Sequence, residues 1–247
     1  LACGLGGGPE GGANPGADGT EAGPAAPAGG WPAPARVSSE GIPGRAGPAA
    51  RGAGPAGPGG LRAGPTGALP AGPWLVVAGS LSALTDRQLA EVAARLGAYR
   101  HRPALNALLT APEREGERLL PGVRAGLATQ GVAIVETDRE ARGTDPAQVA
   151  AGLGRLAARL VRGLPELAGV VLTGGDTAAA VARALGASGL VVTGELAPLV
   201  AAGRLEGGCR PGLAVITKGG LVGDEGLLAA LLAPRARPAA QGPVRVP

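Results

Sequence analysis

The sequence predicts an α/β fold: a layered open sheet of mainly parallel strands with flanking helices, preceded by a disordered Gly/Pro/Ala-rich segment. Short continuous apolar runs recur after residue 73, as expected for parallel strands that are buried on both faces. Segments with apolar residues at helical spacing alternate with these runs, which is the pattern of strand–helix units. Before residue 74 neither pattern occurs, and 35 of the first 73 residues are Gly or Pro.

The composition divides the chain into three parts. Residues 1–73 lack the apolar surface that would offset the entropy of ordering them, so we expect a disordered low-complexity segment. A mis-called gene start is a second interpretation of this segment. Glycine does not fall on every third position there, which excludes collagen. Residues 74–236 form the predicted α/β domain, and residues 237–247 a flexible tail.

The first half of this domain opens with a strand at Trp74–Ala78. Gly79–Ser82 turns out of it, and a helix follows whose start we place at a capping box from Thr85 to Gln88. Gly97 is the expected end of that helix. The next predicted elements are a short strand at 105–110, a helix at about 114–129, a strand at 132–135, and a helix that begins at Asp145-Pro146.

The second half continues the alternation. Its predicted elements are a strand at 169–172, a loop at 173–177, a helix at 178–185, strands at 190–192 and 213–216, and a final helix at 227–232. Gly186 ends the first of these helices, and Pro234 follows the last.

Charge and composition argue against several classes of partner. The formal net charge is +4, but Arg235, Arg237 and Arg245 carry three of those charges near the C-terminus. The domain has no basic stripe, and aromatic residues make up 1% of the chain, so we expect no nucleic-acid partner. No apolar run reaches the ~20 residues of a membrane span. With Cys3 and Cys209 interpreted as unpaired thiols, we expect a cytoplasmic protein without a membrane partner.

Three glycine-containing loops follow apolar strands: Gly79–Ser82, Gly174–Thr177 and Lys218–Gly223. Such a loop at a helix start lets backbone amides approach an anion, so phosphate is its natural ligand. The alternative is glycine that serves turn geometry alone, in a chain with 47 Gly. Lys218 is the only lysine, which suggests an ammonium at a phosphate, although a solvated strand-end charge stays possible.

Catalytic residues are not identifiable from the pattern. Asp176 could contact a metal or a ribose, or it could cap the following helix. No paired carboxylates and no metal-ligand cluster stand out in the sequence. Neither a Walker A motif nor a dinucleotide-binding fingerprint occurs at a strand end.

Four segments carry a resemblance to a known family. They are "WLVVAGSLSALTDRQ" at 74–88, "VVLTGGDTAAAVARALGA" at 170–187, "VVTGELAP" at 191–198 and "GLAVITKGGLVGDEGLLAALL" at 212–232. In order and spacing they resemble the C-terminal nucleotide-binding domain of the four-carbon acid sugar kinase family. Val222 stands where the family usually has Phe, and Gly219 where it often has Ser.

The resemblance implies an ATP-binding domain that works with Mg²⁺. Members of the family use ATP to phosphorylate threonate, erythronate or 3-oxo-tetronate, in carbohydrate metabolism. By resemblance, the nucleotide-binding residues are Ser80, Gly174, Gly175, Asp176, Thr177, Lys218, Gly220 and Gly223. No catalytic and no metal-binding residue is assigned.

The family also has an N-terminal acid-sugar-binding domain with an Asp-Asp-x-Thr-Gly motif, and residues 1–73 do not match it. The resemblance therefore implies the ATP-binding half of a kinase, incomplete alone, with a separate acid-sugar-binding domain as its partner. A non-catalytic nucleotide-binding or regulatory module is the alternative. An unrelated small-molecule-binding α/β domain is a third interpretation, since one fold hosts many functions. The sequence leaves the acid and the oligomeric state open.

Overall fold

A computed structural model describes residues 69–238 as a seven-stranded mixed sheet with helices on both faces. The strands are β1 (Trp74–Ala78), β2 (Tyr99–His101), β3 (Val132–Glu136), β4 (Gly169–Thr173), β5 (Ala187–Ala197), β6 (Val200–Gly207) and β7 (Ala214–Lys218). The helices are α1 (Ala83–Leu96), α2 (Leu105–Thr110), α3 (Pro112–Gln130), α4 (Pro146–Gly163), α5 (Gly175–Ala184) and α6 (Leu227–Leu232).

The strand order is β2-β3-β1-β4-β7-β6-β5. The first five strands in this order are parallel, whereas β6 runs antiparallel to β7, and β5 antiparallel to β6. Trp74 of β1 pairs with Val132 on one side and with Gly169 on the other, so β1 lies inside the sheet. The predicted open, mainly parallel α/β sheet is confirmed.

Both faces of the sheet are buried, which explains why its strands are continuous apolar runs. Leu75 and Val77 belong to a core shared with α2, α3, α4 and α5. Trp74 and Val76 point to the opposite face and pack with residues of α1 and α6. Every residue of β1 is buried as a result. None of the helices in this part of the chain is long and apolar enough to cross a membrane.

The two ends of the described segment are joined to each other. The Gly72 amide donates to the carbonyl of Arg235, and the Arg237 amide donates to the carbonyl of Gly72, both at 2.9 Å. Leu69 packs against the α1/α6 core. The contacts of the domain thus begin before Trp74. The rest of the predicted disordered segment, residues 1–68, and residues 239–247 of the predicted tail lie outside the described residues.

The predicted strand at 105–110 is wrong, because Leu105–Thr110 forms helix α2. Leu105, Leu108 and Leu109 have the i, i+3, i+4 spacing of a helix, and Leu108 is buried in the α2–α5 core. A short apolar run does not by itself distinguish a strand from a buried helix, so the contact with α4 decides the conformation here.

Two helix starts also differ from the prediction. α1 begins at Ala83 with Ser82 as its N-cap, since the Ser82 hydroxyl accepts a hydrogen bond from the Thr85 amide at 3.1 Å. The predicted capping box from Thr85 to Gln88 is therefore wrong. α5 begins at Gly175 rather than at Ala178. The strands β2 and β6 are absent from the prediction altogether.

Candidate functional site

The loops predicted to bind a ligand lie side by side at one edge of the sheet. β1, β4 and β7 are adjacent parallel strands, so their carboxyl ends meet at the same edge. The Gly174 amide after β4 donates to the Lys218 carbonyl at the end of β7, at 2.8 Å. In open α/β sheets, ligands bind at this edge.

A cavity of about 340 Å³ opens between these loops and the start of α4. Six of the eight residues predicted to bind nucleotide line it: Ser80, Gly174, Gly175, Asp176, Thr177 and Gly220. Lys218 and Gly223 are not among the lining residues. The size falls in the range of small-molecule pockets, about 300 to 1,000 Å³.

The N-terminus of α5 forms one wall of the cavity. Gly174 is its N-cap residue, with a φ of 97° and no side-chain capping bond. A side chain is strained at this φ, which explains the glycine. The amides of Gly175, Asp176 and Thr177 belong to the first helical turn, where the helix itself supplies no acceptors. Asp176 lies inside this first turn, after the N-cap residue, so it is not the cap, and its side chain is exposed.

Glycine is required where the loops approach one another. A Cβ atom at Gly79 would lie 2.1 Å from the hydroxyl oxygen of Thr177, whose side chain is 3% exposed. A Cβ atom at Gly220 would lie 2.4 Å from the hydroxyl oxygen of Ser80. These glycines let the β1 loop pack between α5 and the loop after β7.

Side chains of α1 hold the loop after β7 by its carbonyl groups. The hydroxyls of Ser82 and Thr85 each donate to the Gly220 carbonyl at 2.8 Å. The Gln88 amide donates to the carbonyls of Val222 at 3.0 Å and of Asp224 at 2.6 Å. Thr85 and Gln88, which were predicted to begin the helix, therefore position the glycine loop instead.

Lys218 takes part in the same arrangement from the face of the sheet that packs against α1 and α6. Its ammonium donates to the carbonyls of Gly219 at 2.7 Å and of Val222 at 3.3 Å. The side chain is 2% exposed, and burial lowers its pKa to about 8. Lys218 is not among the residues that line the cavity, and its phosphate contact stays a prediction. Its contacts are those of a residue that positions the loop.

Gly223 has a geometric role at the end of this loop. Its φ is 80°, and a Cβ atom there would lie 2.2 Å from a methyl carbon of Leu227. The residue allows the chain to turn into α6, which follows directly.

The second wall of the cavity, which comprises the segment before α4 and the start of that helix, was not predicted from the sequence. It includes Arg142, Gly143, Thr144 and Val149. The Asp145 carboxylate caps α4, accepting from the Ala147 amide at 2.9 Å. Asp145-Pro146 was recognised as a helix start after β3. Because β3 lies next to β1, the helix start that follows β3 indicates that the segment between β3 and α4 also lies at the carboxyl-end edge of the sheet.

A smaller polar cleft of about 100 Å³ adjoins the cavity across Ser80 and Leu81. Its walls are tied together by Arg100, whose guanidinium binds Asp86 and, at 2.6 Å, Glu136. These carboxylates raise the pKa of Arg100, so the ion pairs persist at any physiological pH. Within residues 69–238, no group of three or more His, Cys, Asp or Glu side chains is arranged to hold a metal ion by itself.

The cavity suits an anion. The first turn of α5 and the start of α4 both line it, and Arg142, which carries a full positive charge, is a further lining residue. Asp176 supplies one exposed carboxylate. Among the described residues that line the cavity, no side chain is hydrogen-bonded to another as a general base and its orienting group.

Comparison with known protein families gives an independent result. The model of the family described as "Nucleotide-binding C-terminal domain" matches residues 75–228. The match covers β1 through the first residues of α6, and with them every loop that lines the cavity.

Two characterised relatives share this part of the chain. A D-threonate kinase of Bordetella bronchiseptica is 37% identical over 150 residues, which are 58% of this chain and 35% of the relative. A D-erythronate kinase of Heliobacterium modesticaldum is 45% identical over 78 residues, which are 31% of this chain and 18% of the relative. The chain thus spans about a third or less of the length of these kinases.

Solved structures agree with the fold. A crystal structure of a domain of unknown function from Bordetella bronchiseptica, a domain-swapped dimer with bound citrate, is 38% identical with a TM-score of 0.54. The match covers 68% of this chain and 42% of that one. A Salmonella typhimurium protein that is 22% identical, with a TM-score of 0.55 and coverage of 67% and 42%, supports the fold alone.

The order of the loops, the cavity between them and the family match over 75–228 lead to one conclusion. The chain belongs to the four-carbon acid sugar kinase family, of which it carries the nucleotide-binding C-terminal domain.

Proposed function

We propose that the cavity binds ATP and that the chain is the ATP-binding part of a four-carbon acid sugar kinase. The convergence of the first turn of α5 with Ser80 and Gly220 in one cavity carries the proposal. Helix amides with no intrahelical acceptor offer hydrogen bonds to phosphate oxygens, and the helix dipole favours their charge. A cytoplasmic location goes with this proposal, because ATP is the phosphoryl donor.

Asp176 fits the Mg²⁺ that accompanies ATP. Its carboxylate is exposed in the first turn of α5 and lines the cavity. Mg²⁺ is commonly bound through one or two carboxylates together with substrate phosphates and water, so one carboxylate is sufficient. The ion would neutralise part of the phosphate charge, while Asp176 would fix its position.

The acid substrate is proposed from the relatives. Their activities toward D-threonate and D-erythronate, and the family resemblance to 3-oxo-tetronate kinases, indicate a four-carbon acid as phosphoryl acceptor. A separate acid-sugar-binding domain would hold this acceptor at the open side of the cavity. The alternative is a non-catalytic nucleotide-binding or regulatory module, which is favoured by the lack of an identifiable general base at the cavity.

Thermal unfolding with and without ATP and Mg²⁺ tests nucleotide binding. A ligand that binds only the folded state stabilises it by about 2.7 kcal/mol at 100 times its Kd, which corresponds to several degrees for a domain of this size. We expect such an increase in Tm at millimolar ATP with Mg²⁺, and a smaller one in the Asp176→Asn variant. Unchanged Tm at millimolar ATP would contradict the proposal.

Gly175 offers a matched pair of variants for the same measurement. A Cβ atom there meets no atom within 4 Å, so substitution leaves the fold intact. Gly175→Ala should keep the ATP-induced shift, whereas Gly175→Glu places a negative charge at the cavity and should abolish it. A glutamate in the first turn of a helix does not destabilise it, so the two variants should unfold alike without ATP.

A further inference from the structure

The segment between β3 and α4 builds a wall of the cavity from residues that have no assigned role. Ala141 is buried and anchors the segment in the core. The Thr144 amide donates to the Ala141 carbonyl at 3.1 Å, which closes a turn around Gly143, whose φ is 90°. Arg142 and Thr144 thereby line the same cavity as the start of α5.

Among the described residues, Arg142 forms one side-chain hydrogen bond, to the loop after β1. Its Nη2 atom donates to the carbonyl of Leu81 at 3.1 Å, in the loop after β1. A guanidinium carries five N–H donors, so most of them remain for another acceptor. Within residues 69–238 no carboxylate forms an ion pair with Arg142, in contrast to Arg87 and Arg95, which pair with Glu225 and Glu91.

The charges of the residues that line the cavity indicate a role for Arg142. Arg142 is the one cationic side chain among the described residues that line the cavity, and Lys218 is turned away from it. Backbone amides carry only partial charge, whereas a guanidinium binds phosphate oxygens through two parallel hydrogen bonds. An oligophosphate that lies on the first turn of α5 would have Arg142 on its other side.

We propose that Arg142 binds the phosphate chain of the nucleotide, with the Thr144 hydroxyl as a second polar group on the same wall. This proposal rests on the proposed function, because it concerns the ligand of the same cavity. It assigns to Arg142 the cationic role that the sequence analysis gave to Lys218.

Calorimetric titration of the full chain tests the proposal with ATP, adenosine and inorganic tripolyphosphate. Arg142→Ala should weaken the binding of ATP and tripolyphosphate about tenfold to a hundredfold, the range for a lost hydrogen bond to a charged group. Adenosine binding should not change. Arg142→Lys should be intermediate, because it keeps the charge but loses the planar fork. Arg114→Ala, an exposed arginine of α3 outside the cavity, should bind like the wild type.

The possible outcomes are distinct. Equal ATP affinity of Arg142→Ala and the wild type would overturn the role of Arg142 while leaving the proposed function intact. An equal loss for ATP and adenosine would also overturn it, and would assign Arg142 to supporting the Leu81 loop. A wild-type chain that binds tripolyphosphate but not ATP would overturn the proposed function, and loss of that binding in Arg142→Ala would still support the arginine. A wild-type chain that binds neither tripolyphosphate nor ATP would overturn both the role of Arg142 and the proposed function.

Discussion

Lys218 shows, at the scale of a single residue, how the function of a side chain depends on the face of the sheet it occupies. Its neighbours two and four positions earlier, Ile216 and Ala214, belong to the α1/α6 core. Lys218 points the same way, because side chains alternate along a strand. The ammonium therefore reaches the carbonyls of Gly219 and Val222 beneath the loop rather than a ligand above it.

The buried ammonium makes stability depend on pH. Because burial lowers the pKa of Lys218 to about 8 from an ordinary value of 10.5, the unfolded chain holds this proton over a range in which the folded chain releases it. The free energy of unfolding should therefore rise between pH 8 and 10.5, by at most about 3 kcal/mol. Lys218→Met, which keeps the length of the side chain, should lack this rise.

Urea denaturation at a series of pH values between 7 and 10.5 measures both proteins. Arg114→Met serves as the control for a surface cation and should follow the wild type. A Lys218→Met variant whose stability rises with pH as steeply as that of the wild type would show that another group is responsible.

Six predicted site residues line the cavity because the residues of a short loop between a strand and a helix must lie at the sheet edge, whatever the rest of the fold. Arg142 could not be assigned in the same way. It lies in an irregular segment after β3, and only the packing of Ala141 and the bond to Leu81 bring it to the cavity. Whether these residues bind nucleotide stays a prediction.

At the scale of the elements, α1 is a helix that serves two purposes. Its first turn is capped by Ser82, and the polar side chains that follow bind carbonyls of the loop after β7. Thr85 and Gln88 have the spacing of residues that begin a helix, so local sequence could not distinguish the two roles. Both side chains are fully buried, which is unusual for polar residues unless they are hydrogen-bonded.

The start of α5 at the cavity depends on its close packing against α4. Gly154 of α4 faces Ala180 of α5, and a Cβ atom there would lie 2.7 Å from the Ala180 backbone. Gly154→Ala should therefore lower the free energy of unfolding by about 1 to 3 kcal/mol, the usual cost of overpacking. It should also weaken ATP binding, because the first turn of α5 would move.

Gly126 provides the matched control, because it lies inside helix α3 and its Cβ atom would meet no atom closer than 3.7 Å. Gly126→Ala should leave stability unchanged or raise it by up to ~1 kcal/mol, since alanine favours the helix. Chemical denaturation of the two variants compares them directly. Similar free energies of unfolding for Gly154→Ala and Gly126→Ala would show that α4 and α5 can move apart at little cost.

Of the two strands that the sequence missed, β2 and β6, the longer one has a weak local preference. β6 (Val200–Gly207) contains three Ala or Gly residues in succession at 201–203, and its side chains do not form a continuous apolar run. Gly203 is needed because a Cβ atom there would lie 2.6 Å from the Val191 carbonyl of β5. Pairing with β5 and β7 makes this segment a strand, and such pairing is not visible in a local pattern.

At the scale of the whole molecule, the candidate site is an open edge. The loops after β1, β4 and β7 and the segment before α4 supply the cavity, while the matched segments make up 35% and 18% of the two kinases that the chain resembles. Phosphoryl transfer needs a positioned acceptor hydroxyl in addition to bound ATP. We therefore expect nucleotide binding to be separable from catalysis.

We expect the 247-residue chain to bind ATP with Mg²⁺ without transferring phosphate to D-threonate or D-erythronate. Release of ADP, measured with and without each acid by a coupled assay, gives the rate, and the Bordetella bronchiseptica D-threonate kinase is the positive control. Acid-dependent ADP release at a rate comparable to that kinase would refute the expectation, and would show that the chain is catalytically sufficient.

The sequence by itself determined the α/β class, the strands that end at the site and the family, because these follow from apolar runs, helical spacing and motifs that are local in the chain. Tertiary structure alone decided which polar groups face the cavity. The approach of Arg142 to Leu81 and the bonds from α1 to the glycine loop join residues distant in sequence. The face of β7 on which Lys218 lies packs against residues of α1 and α6. These contacts arise from the packing of helices onto the two faces of one sheet, which a local sequence pattern does not reveal.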